Sequence, residues 1–283
     1  MVWSLQAAPD LTDQQFEQWS KLLEDRAGIC LGEAQRVFLQ TQVAMRMREL
    51  GHEDYTQYYN RVVDGVSGIM EWAVLIDRLV VKETSFFRHK PSITFVQNYL
   101  QSQINNQNLD GPFDIWSVGC SSGEEPYTLA MMMNETFELA RLEPYFGIIA
   151  SDISRAALTI AKSGIYPQRK VELVDAPVRQ RYFSPLEKNR YQISREIMER
   201  VCFNQANVLN INEFPSIKLD VVFCQNLLIY FRRWLRHEIM NAFVDRLKPG
   251  GILVCGLGEV VDWTHEKMER GAVADEVQVY IRK

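Results

Sequence analysis

A short stretch with two glycines and two adjacent acids, SVGCSSGEEPY at residues 117–127, holds the residue types best suited to ligand chemistry. It begins within an apolar run, FDIWSV, and leads into an apolar run with helical spacing, so the pattern predicts a strand, a tight turn and a helix start. A phosphate group is favoured at such a helix N-terminus, but Glu124 and Glu125 occupy its first positions. The two acids instead favour a cationic group at this turn.

Two more predicted strands end in polar residues. Asp152 follows the apolar run FGIIAS, and Gln225 with Asn226 follows DVVFC. In an open α/β sheet, ligands bind outside the carboxyl ends of the strands, where the strand order reverses. Asp152 is placed to accept hydrogen bonds from ribose hydroxyls, and Asn207 in the segment QANVL is placed to cap an adenine ring.

Each of these residues also has an ordinary structural explanation. The two glutamates could favour the helix dipole, Asp152 could be the N-cap of the helix that follows it, and Asn226 could be a turn residue. Their joint placement at consecutive strand ends favours a ligand site over four unrelated structural roles.

The chemistry of the ligand follows from the acids and from the glycine spacing. Gly119 and Gly123 form Gly-x-x-x-Gly, which differs from the Gly-x-Gly-x-x-Gly of a dinucleotide fold. S-adenosylmethionine carries an α-amino group, a sulfonium and a ribose, and thus suits both the glutamates and Asp152. A nicotinamide oxidoreductase is the alternative, which the acids at the expected pyrophosphate position and the missing third glycine disfavour.

Two groups of secondary-structure elements would position these residues. Residues 11 to about 80 are expected to form a helical bundle. Its first helix has a Thr12-Asp13 cap and ends at Gly28. The helix over 33–51 is expected to bury one face, and two shorter helices follow, at 55–65 and 68–80. The residues assigned to the buried face of the second helix are Val37, Val43, Ala44, Met47 and Leu50.

The rest of the chain alternates between strand-like and helix-like segments, which predicts a largely parallel sheet covered on both faces. A helix beginning near Pro91 should precede a polar loop over 101–111, and 275–283 should form a last, antiparallel edge strand. The predicted strands span 113–119, 146–152, 201–207, 219–226 and 250–257, and the predicted helices span 124–139, 154–162, 175–182 and 233–247.

Composition excludes several classes of protein. Of 283 residues, 47% are hydrophobic and 24% are charged, and the net charge of −5 argues against nucleic acid as the main partner. An apolar run long enough to span a membrane and a basic, apolar leader are both lacking, which predicts a cytoplasmic protein without membrane insertion. The five scattered cysteines are expected to be reduced and mostly buried, and the four histidines lack metal-ligand spacing, so no metal is expected.

Several motifs along the chain form a recognisable series: KETSFFRH, SVGCSSGEEPYTLAM, ASDISRAALTIAKSGIY, RYF, ANVL, FCQNLLIYF and LKPGG, with RAGICL in the N-terminal helices. In sequence and in order they resemble the CheR family of chemotaxis protein-glutamate O-methyltransferases. The resemblance implies a doubly wound, Rossmann-like class I methyltransferase fold of the α/β class. It places an N-terminal helical domain at 1–85, a methyltransferase domain at 86–283 and a small inserted β subdomain at about 165–205. The chain is most similar to the type IV pilus (PilK-like) branch of these chemosensory enzymes.

The resemblance also implies particular site residues. It assigns Glu125 to the methionine amine and Asp152 to the ribose of S-adenosylmethionine, and it gives catalytic roles to Arg88 and Tyr230. The implied cofactor contacts are Thr84, Arg88, Glu125, Asp152, Asn207, Val208, Gln225 and Asn226. The chain departs from the family pattern at Lys82, where Asn is usual, at Gln225, where Arg is usual, and at Leu257-Gly258, where His-Ser is usual.

The implied reaction forms glutamate 5-O-methyl esters on a methyl-accepting chemoreceptor. A glutamate has an ordinary pKa near 4.3, so it is ionised at neutral pH and needs no general base. Arg88 suits orientation of the carboxylate through its planar donor fork, and Tyr230 offers a phenol donor. The structural alternatives are a salt bridge for Arg88 and a buried aromatic role for Tyr230. Because of the departures, a non-catalytic, cofactor-binding adaptor of a chemosensory array is the functional alternative.

The expected partner is the cytoplasmic helical domain of the receptor. Receptor methylation regions are acidic helical bundles, and Arg46 and Arg48 lie close together near the end of the second predicted helix. Complementary charge would speed docking and make it weaken with salt. The alternative is that these arginines belong to a solvated helix face.

Overall fold

The computed structural model describes residues 10–213, 216–271 and 276–283. Two compact units make up the chain. One comprises the described residues up to Val81 together with Tyr230–Arg232, and the other comprises Lys82–Ile229 and Arg233–Lys283.

The described residues up to Val81 form helices and connecting turns, as predicted. The first helix begins after Thr12, whose hydroxyl accepts from Gln15 N while the Gln15 side chain accepts from Thr12 N, and it ends at Gly28 in the left-handed conformation. Both signals are local, which explains why the sequence predicts this helix so closely. The helices are α1 (Asp13–Ala27), α2 (Arg36–Glu49), α3 (Tyr55–Val63) and α4 (Gly65–Leu79).

The buried face of α2 differs in part from the predicted one. Val43, Ala44 and Met47 are buried as expected, but Val37 is 74% exposed and Leu39 is fully buried. Leu39, Val43 and Met47 recur every four residues and therefore share one face of the helix, whereas Val37 lies about 240° round from Val43. The prediction for Val37 was wrong because the apolar face begins at Leu39.

The second unit contains a seven-stranded sheet in the order β6-β2-β1-β7-β8-β10-β9. The first five strands in this order are parallel, and β10 and β9 are antiparallel additions. Its strands are β1 (Phe113–Val118), β2 (Phe146–Asp152), β6 (Val201–Gln205), β7 (Leu219–Cys224), β8 (Leu247–Cys255), β9 (Met268–Arg270) and β10 (Gln278–Arg282), and its longer helices are α5 (Lys90–Asn105), α6 (Glu124–Leu139), α7 (Arg155–Ser163) and α11 (Arg233–Val244).

The strand order reverses between β1 and β7. From β1 the chain proceeds outward through β2 to β6, and it then returns to the other side of β1 and proceeds through β7 to β8. The carboxyl ends of β1 and β7 therefore border the crevice in which a doubly wound fold binds its ligand. This confirms the predicted α/β class and places residues 119–125 and 225–228 at the crevice.

Two predictions for this unit were wrong in detail. The predicted polar loop begins later, because α5 continues to Asn105. The last strand, β10, is antiparallel but lies between β8 and β9, so β9 forms the edge. The β9 strand, Met268–Arg270, pairs with β10. Its three residues are too few to give a recognisable alternating pattern in the sequence. Asp275, in the predicted last strand, lies outside the described residues.

A smaller three-stranded antiparallel sheet lies between α7 and β6 in the sequence. The strand order in this sheet is β3-β5-β4. The segment from Ile165 to Met198, which contains these strands and three short helices, is called the insert below. The predicted range of about 165–205 also takes in Val201–Gln205, which is β6 of the large sheet. The insert consists of β3 (Ile165–Pro167), α8 (Gln168–Val171), α9 (Ala176–Tyr182), β4 (Phe183–Leu186), β5 (Arg190–Ile193) and α10 (Arg195–Met198).

Candidate active site

The turn between β1 and α6, residues 119–123, is called the glycine turn. Gly119 and Gly123 have φ values of 74° and 92°, and Ser121 also adopts the left-handed conformation. A Cβ at Gly119 would lie 3.1 Å from the Leu227 side chain, and one at Gly123 would lie 2.8 Å from the Ala161 Cβ. Both glycines are therefore required by conformation and by close packing.

Asp152, at the end of β2, holds the glycine turn. One carboxylate oxygen accepts from Ser121 N and the other from Ser154 N, each at 2.8 Å. The N-cap of α7 is Ser154, whose hydroxyl accepts from Ala157 N, so the alternative role of Asp152 as the cap was wrong. Each carboxylate oxygen can accept more than one hydrogen bond.

The two adjacent glutamates have different surroundings. Glu124 is fully buried, receives an ion pair from Lys170 of α8, and accepts a hydrogen bond from Ser122 Oγ at 2.7 Å. It is therefore engaged inside the protein. The interpretation of both acids as a cation site was wrong for Glu124, since α8 supplies its cation.

Glu125, the next residue of α6, is less buried than Glu124. The residue is half-buried, and its carboxylate accepts a hydrogen bond from Ser117 Oγ at 2.7 Å. Burial among protein atoms raises its pKa to about 8, against the lowering effect of the Ser117 hydrogen bond, with a further raising effect from Glu259 and a lowering one from Arg88. A cationic ligand group would favour the ionised form of this carboxylate.

Glu259, in the loop after β8, is an acid that the sequence analysis did not assign to the site. It is 3% exposed, and Oε2 accepts from Leu228 N at 3.3 Å. Burial raises its pKa, and the backbone N–H groups of Asn226, Leu228 and Leu227 lower it. Oε1 has no hydrogen-bond partner among the described residues. The sequence signal was an acid just after the apolar strand GGILVCGL.

The residues after β7 divide into a buried one and an exposed one. The Gln225 amide nitrogen donates to Ser92 Oγ at 2.9 Å and to the Cys255 carbonyl at 3.1 Å, and the side chain is buried. Its amide nitrogen thus joins α5 to β8. Asn226 is exposed and adopts φ 57°, which Asn tolerates better than most residues.

Asn207 and Val208 follow β6, next to Asp152. The β6 strand pairs with β2 so that Gln205 lies opposite Asp152, and Ala206 N donates to the Asp152 carbonyl at 2.9 Å. The Asn207 side chain accepts from Leu209 N at 3.1 Å and begins the 3-10 turn Val208–Glu213. Both residues are half-buried.

The segment before α5 contributes Thr84 and Arg88. Thr84 is half-buried, and Arg88 is exposed and donates to the Glu83 carbonyl at 3.0 Å. Arg88 forms no ion pair with a carboxylate in the described ranges, so the predicted salt-bridge alternative finds no support there. The neighbouring backbone is anchored, because the Lys82 carbonyl accepts from Ser121 Oγ at 3.1 Å.

His89 and Tyr230 take separate places. His89 is the N-cap of α5, where Nδ1 accepts from Ser92 N at 3.3 Å. Tyr230 is half-buried, ends the 3-10 turn Leu228–Tyr230 and groups with the N-terminal unit, in which its carbonyl accepts from Cys30 N at 2.8 Å.

The two arginines assigned to partner binding differ in their surroundings. Arg46 forms a bidentate ion pair with Glu71 of α4, with both contacts at 2.8 Å, and a further one with Glu49. Glu71 is 5% exposed and also accepts from the Tyr58 hydroxyl at 2.7 Å. Arg48 is exposed. Arg46 thus joins two helices within its unit and differs from the predicted surface residue.

The described ranges lack a metal-binding cluster and a helix able to cross a membrane. Residues 10–213, 216–271 and 276–283 contain no group of three or more His, Cys, Asp or Glu side chains able to hold a metal ion. In the same part of the chain, no helix has both the length and the apolar character needed to cross a membrane. The five cysteines are free, and three are buried, whereas Cys30 is intermediate and Cys202 is exposed.

Comparison with known proteins agrees with this geometry. The family model described as CheR methyltransferase, SAM binding domain, matches residues 82–276, and the CheR methyltransferase, all-alpha domain, matches residues 14–80. The chemotaxis protein methyltransferase of Borreliella burgdorferi is 30% identical over 89% of this chain and 90% of its own length. That of Escherichia coli is 30% identical over 88% and 85%, and chemotaxis protein methyltransferase 2 of Vibrio cholerae is 31% identical over 88% and 86%.

The site fits the cofactor of this family. The glycine turn carries no side chain at Gly119 and Gly123, and the Glu125 and Asp152 carboxyl groups could accept hydrogen bonds from an amine and from ribose hydroxyls. Matches to both family domains and to full-length relatives agree with the α/β topology. The chain belongs to the CheR family of S-adenosylmethionine-dependent methyltransferases.

Proposed function

We propose that this enzyme methylates glutamate side chains of a methyl-accepting chemoreceptor, forming glutamate 5-O-methyl esters. The observation that carries the proposal is that Glu125 and Asp152 both lie beside the point where the strand order of the sheet reverses. The chain that carries them belongs to the CheR family. The chemotaxis methyltransferases it resembles span nearly its whole length. Assignment to the type IV pilus branch stays a prediction.

In this proposal the cofactor lies over the glycine turn. Glu125 would hold the methionine amine and Asp152 the ribose, and Thr84, Asn207 and Val208 would line the rest of the site. When bound, S-adenosylmethionine supplies a methyl group on a positively charged sulfur. Gln225 would act indirectly, by holding the residues around the site in place, because its amide nitrogen is hydrogen-bonded to Ser92 and Cys255.

The acceptor chemistry calls for orientation of a carboxylate. Arg88 is exposed and lies near enough to Glu125 to lower its pKa, so it can meet an incoming carboxylate beside the site. A glutamate acceptor is already ionised at neutral pH. His89 is used as the cap of α5, which supports a reaction without an imidazole base. Tyr230 groups with the N-terminal unit, and its catalytic role stays a prediction.

The departures from the family pattern leave the architecture of the site intact, which favours catalysis over the adaptor alternative. Lys82 contributes to the glycine turn through its backbone carbonyl, a role that any side chain allows. Gln225 is satisfied by two hydrogen bonds. Leu257 is exposed, and Gly258 has a φ of 77° that suits glycine.

The test uses tritiated S-adenosylmethionine and membranes that carry candidate chemoreceptors. A labelled receptor band that releases volatile methanol in mild alkali would support glutamate esters, because N- and S-methyl groups resist this treatment. Arg88→Ala should lower the initial rate at least about tenfold, and Arg88→Lys should retain more activity if charge outweighs the donor fork. Alkali-stable label would overturn the proposal, and cofactor binding without any transfer would favour the adaptor.

We further propose that the exposed side of α2 docks the acidic helical domain of the receptor. Arg48 is the candidate contact on this helix, because it is exposed. Arg48→Glu should slow receptor methylation without changing cofactor affinity, and added salt should slow the wild-type reaction. Lys21→Glu, an equal charge change at an exposed position of α1, is the matched control. Equal effects of both variants would contradict a docking site on α2.

A further inference from the structure

Polar contacts from three parts of the fold hold the glycine turn: the sheet, the segment before α5 through the Lys82 carbonyl, and the insert. On the sheet side, Gly119 N and Cys120 N donate to the Ser151 carbonyl at 2.8 and 3.0 Å, and Asp152 accepts from Ser121 N. These contacts fix the first half of the turn. The second half of the turn, together with Glu124 at the start of α6, forms its long-range polar contacts with the insert.

Tyr166 of β3 supplies the first of these contacts. Its hydroxyl donates to the Ser122 carbonyl at 2.6 Å, and the side chain is 1% exposed. The ring packs edge-to-face against Phe86, with centroids 5.0 Å apart. A Cβ at Gly123 would lie 3.0 Å from this hydroxyl, so Tyr166 also limits where the turn can lie.

Lys170 of α8 supplies the second contact. Its ammonium pairs with Glu124, the first residue of α6, whose other oxygen accepts from Ser122 Oγ. The Glu124 side chain is fully buried, whereas that of Lys170 is 28% exposed. Buried ion pairs contribute little net stability compared with apolar residues of similar size, but they impose a specific geometry. Here that geometry joins the insert to the end of the glycine turn.

We infer that Tyr166 and Lys170 are positioning residues for the cofactor site, which set the conformation of the glycine turn from the insert. The inference rests on the proposed function, since it concerns the turn to which the cofactor is assigned there. Tyr166 contacts Ser122 and Lys170 contacts Glu124, so both residues would act through these two residues. Their contribution is to hold the turn in its binding conformation before the ligand arrives, which removes an ordering cost from binding.

Calorimetric titration of the full chain with S-adenosylhomocysteine tests the inference. Tyr166→Phe removes one hydrogen bond and should raise the Kd roughly 3- to 10-fold, and Lys170→Met should raise it about tenfold or more. Lys170→Arg, which keeps the charge, should restore most of the affinity. The matched controls are Arg169→Met, an exposed cation next to Lys170, and Tyr191→Phe, a hydroxyl removed from β5 of the same small sheet. Both controls should bind like the wild type.

A second readout separates positioning from general loss of stability. In Tyr166→Phe without ligand, amide hydrogen exchange should accelerate at residues 119–123 but stay unchanged in the central strand β7. If Lys170→Met fails to fold, the double variant Glu124→Met with Lys170→Met replaces the ion pair by apolar side chains. It should melt near the wild-type temperature and still bind more weakly.

The outcomes are distinguishable. An unchanged Kd in folded Tyr166→Phe and in the folded lysine variant would overturn the inference while leaving the proposed function in place. The inference would also be overturned if Arg169→Met and Tyr191→Phe weakened binding as much as Tyr166→Phe and Lys170→Met. The effect would then be independent of contact with the turn. A wild-type chain that fails to bind S-adenosylhomocysteine would overturn the proposed function itself.

Discussion

At the scale of single residues, the protonation state of Glu125 links cofactor binding to pH. The pKa of this carboxyl is raised to about 8, chiefly by burial, so the ligand-free protein holds a proton there at neutral pH. An ammonium group beside the carboxyl favours the ionised form and lowers this pKa again. Binding therefore displaces the proton.

The expected result is tighter binding as pH rises towards 8. Below the raised pKa, affinity for S-adenosylhomocysteine should increase by at most about tenfold per pH unit, and about one proton should be released per ligand bound at pH 7. Titration in buffers of different ionisation enthalpy measures the proton. Glu125→Gln, which cannot titrate, should bind weakly and release none. Binding that is independent of pH in the wild type would contradict the proposed contact with the amine.

Asp152 has two roles that one substitution removes together. Its carboxylate holds Ser121 N and Ser154 N, and it is also the proposed acceptor for the ribose. Asp152→Ala should therefore lower the melting temperature of the ligand-free protein and weaken S-adenosylhomocysteine binding by at least about tenfold, since hydrogen bonds to a charged acceptor contribute about 1.5–3 kcal/mol each. Thermal melts and calorimetry measure the two effects. An unchanged affinity would remove Asp152 from the cofactor site.

At the scale of elements, the ion pair between α2 and α4 stabilises the helical unit. Burial alone would raise the pKa of Glu71, but hydrogen bonds from Arg46 and Tyr58 hold it below its ordinary value. Arg46→Met leaves this buried carboxylate without its cation and should lower the free energy of unfolding by about 3 kcal/mol or more. Lys21→Met, at an exposed position of α1, should change it by less than about 0.5 kcal/mol, as is usual for exposed positions.

Denaturant unfolding of both variants measures this difference. Similar free energies of unfolding would show that the Arg46 pair contributes no stability beyond that of a surface contact. The comparison also bears on receptor docking, because a loss of methylation in Arg46 variants would reflect helix packing as well as any partner contact.

At the scale of the whole molecule, the two units should respond differently to ligand. Each has its own buried core, formed around Trp19 and Tyr58 in one unit and around the large sheet in the other. The residues proposed to bind the cofactor belong to the second unit. Scanning calorimetry should therefore resolve two transitions, of which S-adenosylhomocysteine raises one.

The size of this shift follows from mass action. At a ligand concentration of 100 times Kd, binding adds about 2.7 kcal/mol, which corresponds to roughly 5–10 °C for a unit of this size. Arg46→Met should lower the other transition and thereby identify it. A single transition that both the ligand and Arg46→Met shift would contradict independent unfolding of the two units.

The sequence by itself determined the features that depend on neighbouring residues. The cap at Thr12, the stop at Gly28 and the strand, turn and helix around Gly119 and Gly123 follow from local chemistry and periodicity. The strand ends could likewise be predicted from the apolar runs, whereas the reversal of strand order followed from the doubly wound fold that the family resemblance implied. The sequence therefore correctly predicted that Glu125 and Asp152 both lie beside the carboxyl ends of the parallel strands.

The tertiary structure alone decided the roles that depend on distant partners. Glu124 and Glu125 are adjacent in sequence and about 100° apart on the helix, but only Glu124 meets a lysine 46 residues further along the chain. Gln225 donates to Ser92, and Arg46 forms an ion pair with Glu71. These partners too are far apart in the sequence. Side-chain type and spacing predict which groups are charged or polar. Which of them are satisfied inside the protein, and which remain for a ligand, depends on packing between segments that the sequence leaves far apart.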